Sequence, residues 1–281
     1  MGVVGRLAPT PSGHLHLGNA VAFAACWLSV RSAGGRVLLR IEDVDTGRAR
    51  QQFADSQRED LHWLGLDWDE EVTPQSARDY APWAARLGAW TYRCICSRKE
   101  RTRTPSGCTC DGAGHAEGAL RFRVAPGLVR FDDRVLGPQV LDPKQTTSDP
   151  VLQRSDGVWA YTLAVVADDI ADGVTEVVRG ADLLDFTAVQ IQLWQAYGAT
   201  SPTWLHAPMI VGADGRKLSK SHGSTEIRAL RDQGWSAEQV WHQVLPWLGL
   251  PKSTLERACD TWDPALGPTG PITWASSDSG R

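Results

Sequence analysis

No long apolar run interrupts this sequence. Its most apolar stretch, Ala20 to Leu28, is too short and too mixed to span a bilayer. The opening residues, Met1-Gly2-Val3-Val4-Gly5-Arg6, lack a basic segment followed by an apolar one, and Arg6 stands where a myristoylation signal requires Ser or Thr. A cytoplasmic protein without membrane contact is therefore expected. Excess positive charge is missing as well. With 29 Lys and Arg against 33 Asp and Glu, the formal net charge is −4. Bulk charge thus gives no support to a nucleic-acid partner, although a local basic face would suffice for one. Internal repeats and low-complexity blocks are absent, which argues against a solenoid or a linker-like chain. The cysteines are not spread along the chain as a secreted disulfide scaffold would spread them. Four of the six, Cys94, Cys96, Cys108 and Cys110, crowd into one short stretch. That pattern reads as a metal site in a reducing compartment.

What is present is an ordinary globular composition. The 281 residues are 42% hydrophobic, enough for one sizeable core plus an inserted or appended module. Val3 to Leu7 is β-leaning and runs into the turn-rich Ala8-Pro9-Thr10-Pro11-Ser12-Gly13. Small apolar residues from Ala20 to Val30 suit a buried helix ending at Gly34-Gly35, and Val37 to Ile41 reads as a buried strand. This strand–helix–strand order predicts the start of a parallel α/β sheet. Gln51 to Leu66 and Ala77 to Leu87 read as helices, and Thr91 to Pro126 as an inserted knuckle. The sheet pattern returns at Trp159 to Val166 and Val174 to Arg179. Leu183 to Tyr197 is read as a helix, Gly212 to Gly223 as a polar loop, Glu226 to Leu250 as mostly helical and Pro264 to Arg281 as loose. The thirteen tryptophans are read as packing residues.

Three segments could carry chemistry. Arg6 to Gly18 leaves a strand and enters a helix, whose unpaired N–H groups and partial positive charge suit a phosphate chain. His14 and His16 could both bond phosphate oxygens there, and Gly18 would let a flat base approach the backbone. Taken alone, the histidines could equally be surface or metal-binding residues. Lys217-Leu218-Ser219-Lys220-Ser221 lies in a glycine-flanked loop. Two lysines in such a loop could close over a triphosphate and neutralise charge on leaving pyrophosphate; alone, they could be a solvated basic loop. The pairs Cys94/Cys96 and Cys108/Cys110 can place four thiolates around Zn2+. Arg98, Lys99, Arg101 and Arg103 between them could meet an RNA backbone or simply be solvated.

Taken together and in this order, His14-Leu15-His16-Leu17-Gly18 and Lys217 to Ser221 resemble the paired signatures of class I aminoacyl-tRNA synthetases, with Leu218 where methionine usually stands. Arg6 to Gly13, Arg40-Ile41-Glu42-Asp43-Val44-Asp45, Ala160 to Asp169 and Gly173 to Leu183 are similar to the glutamate-specific branch. The likeness covers most of positions 5 to 223. It is closest to a short paralogous branch that lacks the anticodon-binding domain and attaches glutamate to queuosine in the anticodon of the aspartate tRNA. The roughly fifty-five residues after Gly223 are too few for helical anticodon domains.

The resemblance implies an α/β fold: a Rossmann-like parallel sheet with an inserted zinc knuckle and a short helical C-terminal tail. Residues 1–223 would form the catalytic domain, with an insertion at about 92–150, and 224–281 a helical extension with a loose end. It implies ATP-dependent activation of L-glutamate to glutamyl-adenylate, with Mg2+ arriving on ATP, and transfer to queuosine-bearing tRNA(Asp). Arg6, Leu7, Ala8, Pro9, Thr10, Glu42, Tyr161 and Arg179 would form the amino-acid site, with Arg6 against a carboxylate and Glu42 against the ammonium. His14, His16, Gly18, Lys217 and Lys220 would bind ATP, with His14, His16 and Lys220 serving catalysis. The family's metal set is two cysteines, a tyrosine and a further cysteine. Here Cys108 takes the tyrosine's spacing and the last position falls on Gly112, so the fourth ligand lies open between Cys110 and His115. A monomer is expected. The same residues also fit a truncated paralogue with another acceptor, or a non-catalytic RNA-binding relic.

Overall fold

The computed structural model describes residues 2–103, 108–212, 215–216 and 225–274. The predicted opening unit is present: strand β1 (Val4–Leu7), helix α1 (Leu17–Ser32) and strand β2 (Arg36–Leu39). β1 and β2 pair in parallel, Val4 opposite Arg36 and Leu7 opposite Leu39. Helix α2 (Gln51–Trp63) then leads to a short strand β3 (Glu70–Glu71), parallel to β2. α1 buries Leu17, Val21, Ala24, Ala25, Leu28 and Val30, which do not lie on one stripe. A helix apolar on every side needs cover on every side, and this one receives it from the sheet and from the C-terminal helices.

The middle of the chain forms helix α3 (Ala81–Arg86), strand β4 (Thr91–Cys94), helix α4 (Arg98–Arg103) and strands β5 (Ala119–Phe122), β6 (Val129–Asp133) and β7 (Gly137–Leu141). Helix α5 (Pro143–Thr146) and strand β8 (Val151–Gln153) follow. β4, β5 and β8 make a small antiparallel sheet behind the cysteine cluster, while β6 and β7 form a hairpin. The hairpin does not stay with the insertion. The last residue of β6, Asp133, pairs with Trp204 of the main sheet.

The core resumes with helix α6 (Tyr161–Ala171), strand β9 (Glu176–Gly180), helix α7 (Leu184–Ala196) and strands β10 (Thr203–Ala207) and β11 (Ile210–Val211). β9 and β10 are parallel, and β1 runs beside β9, joined by the Thr175 N–H donating to the Val4 carbonyl at 2.9 Å. The parallel strands thus follow the order β3, β2, β1, β9, β10. The chain reverses its direction of travel between β1 and β9, and a doubly wound sheet opens a ligand crevice at the carboxyl ends of such a pair.

Two sequence expectations are corrected. Trp159 to Val166 is not a strand; α6 begins at Tyr161. Its run Leu163 to Ala167 is buried on all sides, and a continuous apolar run carries no period to separate helix from strand. Nor does the described part of the end, residues 264–274, lack structure, while residues 275–281 of the expected loose stretch lie outside the described residues. The end closes with helices α8 (Ile227–Asp232), α9 (Ala237–Val244) and α10 (Leu255–Asp260) and a strand β12 (Ile272–Thr273), which pairs with β11. Val240, Trp241, Val244, Leu255 and Ala258 share one apolar cluster with β1 and α1, and the Trp241 indole N–H donates to the Leu64 carbonyl at 2.9 Å. Among the described residues, no helix is long and apolar enough to cross a membrane.

Candidate active site

A cavity of about 400 Å3 opens at the carboxyl ends of β1 and β9, where the strand order predicts it. It is within the ordinary range for small-molecule sites. One end is lined by Gly13, His14, His16, Gly18 and Asn19, the other by Arg6, Ala8, Glu42, Tyr161 and Arg179. The two ends correspond to the two groups of residues that the sequence picks out. Pro9 and Thr10 line it as well. Leu7 does not; its side chain is fully buried in the apolar core. Lys217 and Lys220 lie outside the described residues.

The loop from Ala8 to His16 is held in place from α2. The Gln57 side-chain amide donates to the Thr10 carbonyl at 3.0 Å and to the Gly13 carbonyl at 2.8 Å. The His14 ring sits edge-on to Phe53, with Nδ1 2.9 Å from the Ser56 hydroxyl. His16 is the N-cap of α1, and its N–H donates to Asn19 Oδ1 at 3.1 Å. A Cβ on Gly18 would come within 3.0 Å of the His16 ring, so the glycine lets that ring fold over the helix start. The cavity end is therefore the N-terminus of a sixteen-residue buried helix flanked by two imidazoles, an arrangement suited to phosphate oxygens.

At the other end, buried charges are arranged in a strict pattern. Arg6 donates through Nε to Asp169 at 3.0 Å and through Nη1 to the Val178 carbonyl at 3.2 Å. Arg40, wholly buried, contacts Asp169 at 2.7 Å, Asp172 at 3.1 Å and Glu42 at 3.2 Å. Arg78 adds contacts to Asp168 and Asp172. Asp168 also accepts from Gln75 and the Tyr80 hydroxyl. Burial raises the Glu42 carboxyl above its usual range, with Arg40 and Arg6 opposing that shift. Asp169 goes the other way: burial would raise it, but the two arginines hold it below the usual range.

Arg179 is the exception in this network. It is buried, yet it makes no ion pair with a carboxylate among the described residues. Its guanidinium donates to neutral acceptors instead: Gln190 Oε1 at 2.6 Å, Thr187 Oγ1 at 2.8 Å and His206 Nε2 at 3.1 Å. Burial lowers its pKa, and the positive neighbour Arg6 lowers it further against the raising effects of Tyr161 and Asp169. A buried cation without a counter-ion is costly unless an anion arrives. Arg179 lines the cavity beside Tyr161, an arrangement suited to an anionic group.

Sequence reasoning overlooked His206, Gln57, Ser56 and the role of Asp169. For Asp169 a signal existed. Asp169 lies eight residues, about two turns, after Tyr161 on α6, so helical spacing puts the two on one face; reading the segment as a strand hid this. His206 and Asp133 are far apart in sequence and are joined only by strand pairing.

The cysteines converge as well. The sulfurs of Cys94, Cys96, Cys108 and Cys110 all lie within 4.8 Å of one another, and Cys94–Cys108 and Cys96–Cys110 are each 3.5 Å apart. Four thiolates on a tetrahedral Zn2+ at about 2.3 Å would stand about 3.8 Å apart, so the donor set fits that ion. His115 is not in the cluster.

Comparison with known proteins agrees with this geometry. Residues 2–106 and 111–263 match the family model for the catalytic domain of class I tRNA synthetases for E and Q, that is, glutamate and glutamine. A protein of Nitratidesulfovibrio vulgaris named glutamyl-Q tRNA(Asp) synthetase is 44% identical over 270 residues, covering 84% of this chain and 83% of that protein. One of the same name from Pseudomonas putida is 47% identical over 234 residues, covering 80% of this chain and 78% of that one. Among solved structures, a glutamate-tRNA synthetase of Elizabethkingia anophelis superimposes with a TM-score of 0.83 at 22% identity, covering 98% of this chain and 68% of that one. That likeness speaks for the fold.

Proposed function

The chain belongs to the class I tRNA synthetases of the glutamate and glutamine type, and from that premise we propose that it activates L-glutamate with ATP and transfers it to queuosine in the anticodon of tRNA(Asp). The observation that carries the reading is Arg179, a buried guanidinium lining the cavity that has no ion-pair partner among the described residues. Glutamate brings two carboxylates and one ammonium. Arg179 receives the side-chain carboxylate with Tyr161 beside it, and Arg6, Ala8, Pro9 and Thr10 with the backbone at Leu7 form the wall around the α-carboxylate. Glu42 faces the ammonium. Its carboxylate is held in place by Arg40 at 3.2 Å.

No side chain acts as a nucleophile. The attacking atom is an oxygen of glutamate's own carboxylate, striking the α-phosphorus of ATP while pyrophosphate leaves with its Mg2+. The protein's work is alignment and charge stabilisation. His14, His16 and the N-terminus of α1 take the phosphates, Gly18 takes the adenine face, and Lys217 and Lys220 neutralise the departing pyrophosphate. The four cysteines hold a structural Zn2+, because four protein ligands close its shell. The chain works as a monomer in the cytoplasm.

The test is incubation with ATP, labelled glutamate and tRNA(Asp) with or without queuosine, followed by nuclease digestion and mass analysis. Glutamyl-queuosine nucleoside is the expected product. Label at the 3′ end or on another acceptor would favour a truncated paralogue of different use, and RNA binding without any ATP-dependent product would favour a non-catalytic relic.

A further inference from the structure

Among the described residues, the side chains that accept from Arg179 at Gln190, Thr187 and His206 carry no charge, and one of these acceptors is set by a residue from another part of the chain. His206, fully buried on β10, accepts from Arg179 Nε at its Nε2, 3.1 Å away. It can do so only as the tautomer whose proton is on Nδ1. That nitrogen lies 2.6 Å from Asp133 Oδ2. Asp133 is itself fixed, since its Oδ1 accepts from the backbone N–H of Val135 at 3.0 Å and of Leu136 at 2.9 Å. Those bonds leave Oδ2 as the oxygen that meets the imidazole. Burial lowers the His206 pKa and the nearby Arg179 lowers it too, against the raising effect of Asp133, so the ring stays neutral. Asp133 ends the inserted hairpin strand β6, and its pairing with Trp204 is the register contact between β6 and β10.

We propose that Asp133 and His206 are positioning residues for glutamate recognition: Asp133 locks the His206 tautomer, and His206 thereby orients Arg179 toward the substrate carboxylate without neutralising it. The inserted hairpin thus completes the amino-acid site from a distance. This inference rests on the reading of Arg179 as the seat of glutamate's side-chain carboxylate.

Asp133→Asn tests it with almost no change of shape. The backbone N–H groups of Val135 and Leu136 still demand an oxygen, so the new amide nitrogen must face His206. A donor there forces the imidazole proton onto Nε2, where it opposes the Arg179 N–H. His206→Gln supplies an amide oxygen near the position of Nε2, whereas His206→Asn reaches only the position of Nδ1. Glutamate-dependent ATP–pyrophosphate exchange, KM for each substrate and Tm are measured for all variants. D133N and H206N should raise KM for glutamate roughly 10- to 100-fold, the size of one charge-assisted contact, with KM for ATP unchanged. H206Q should stay within about threefold of the parent, and D133N/H206Q should recover to the same level, because glutamine has no tautomer to lock. Unchanged glutamate KM in D133N overturns the proposal. So does an equal loss in H206N, H206Q and the double variant with a matching fall in Tm, which would mark a purely structural pair. Failure of the parent protein itself to exchange with glutamate would instead overturn the functional reading beneath it.

Discussion

Replacing Arg179 with glutamine separates a residue that serves the substrate from one that serves the fold. Arg179 has no carboxylate partner among the described residues, and burial already disfavours its charge. Glutamine removes that charge and keeps an amide that can still donate to part of the set Gln190, Thr187 and His206. The expected stability change is therefore small, within about 1 kcal/mol. Binding is another matter. A hydrogen-bonded contact to a charged group contributes about 1.5–3 kcal/mol, and 1.4 kcal/mol is tenfold, so KM for glutamate should rise about 10- to 150-fold. The contact is present in ground and transition states alike, so kcat should change little. Arg40→Gln is the control. Arg40 holds Asp169, Asp172 and Glu42, and removing one partner of a buried ionic cluster costs about 3–5 kcal/mol. At roughly 2–4 °C per kcal/mol for a chain of this size, Tm should fall on the order of 10 °C. Exchange kinetics and thermal unfolding on both variants decide the matter. If R179Q unfolds as early as R40Q, or keeps KM for glutamate within threefold of the parent, the assignment of Arg179 to the substrate is wrong.

Further expectations follow from other parts of the molecule. Cys110→Ser should lower bound zinc, read by elemental analysis, and destabilise the knuckle, while His115→Ala should leave the metal content unchanged; loss of zinc in the histidine variant would reverse the ligand assignment. Asp60 is fully buried, and burial pushes its pKa up to about 6, with Arg231 opposing. A raised carboxyl favours the folded state at low pH and loses that advantage as pH rises through about 6. Asp60→Asn should therefore stabilise the protein at pH 8 by roughly 1–3 kcal/mol and change little at pH 4, a difference visible in denaturant titrations. At Gly5, an added Cβ would sit 2.4 Å from a Val30 methyl. Gly5→Ala should cost about 1–3 kcal/mol by overpacking β1 against α1, and a second change, Val30→Ala, should recover part of the loss. Simple additivity of the two losses in chemical unfolding would refute that contact.

Much of the site is legible in the sequence. His14, His16, Gly18, Glu42, Tyr161 and Arg179 stand out in the sequence, and all of them line one cavity. His14, His16 and Gly18 stand where a strand runs through a loop into a helix, whereas Glu42, Tyr161 and Arg179 are picked out by the resemblance to the glutamate-specific branch. The cysteine cluster could be read from spacing, and packing then favoured Cys110 over His115. What sequence hid were relationships made by topology. Arg6 and Arg40 share Asp169 across more than a hundred residues, and Asp133 reaches His206 only because a hairpin joins the main sheet. The continuous apolar run of α6 hid its own period. The sequence end looked loose from its Gly, Pro and Ser content, yet Ile272 and Thr273 pair with β11, a contact that composition does not encode.

The most direct test of the account is ATP–pyrophosphate exchange by the purified protein with glutamate and no tRNA, beside glutamine and aspartate controls. The account predicts exchange with glutamate alone, because Arg179 offers a cation to a side-chain carboxylate. Absence of exchange with all three amino acids, persisting when queuosine-bearing tRNA(Asp) is added, would contradict it.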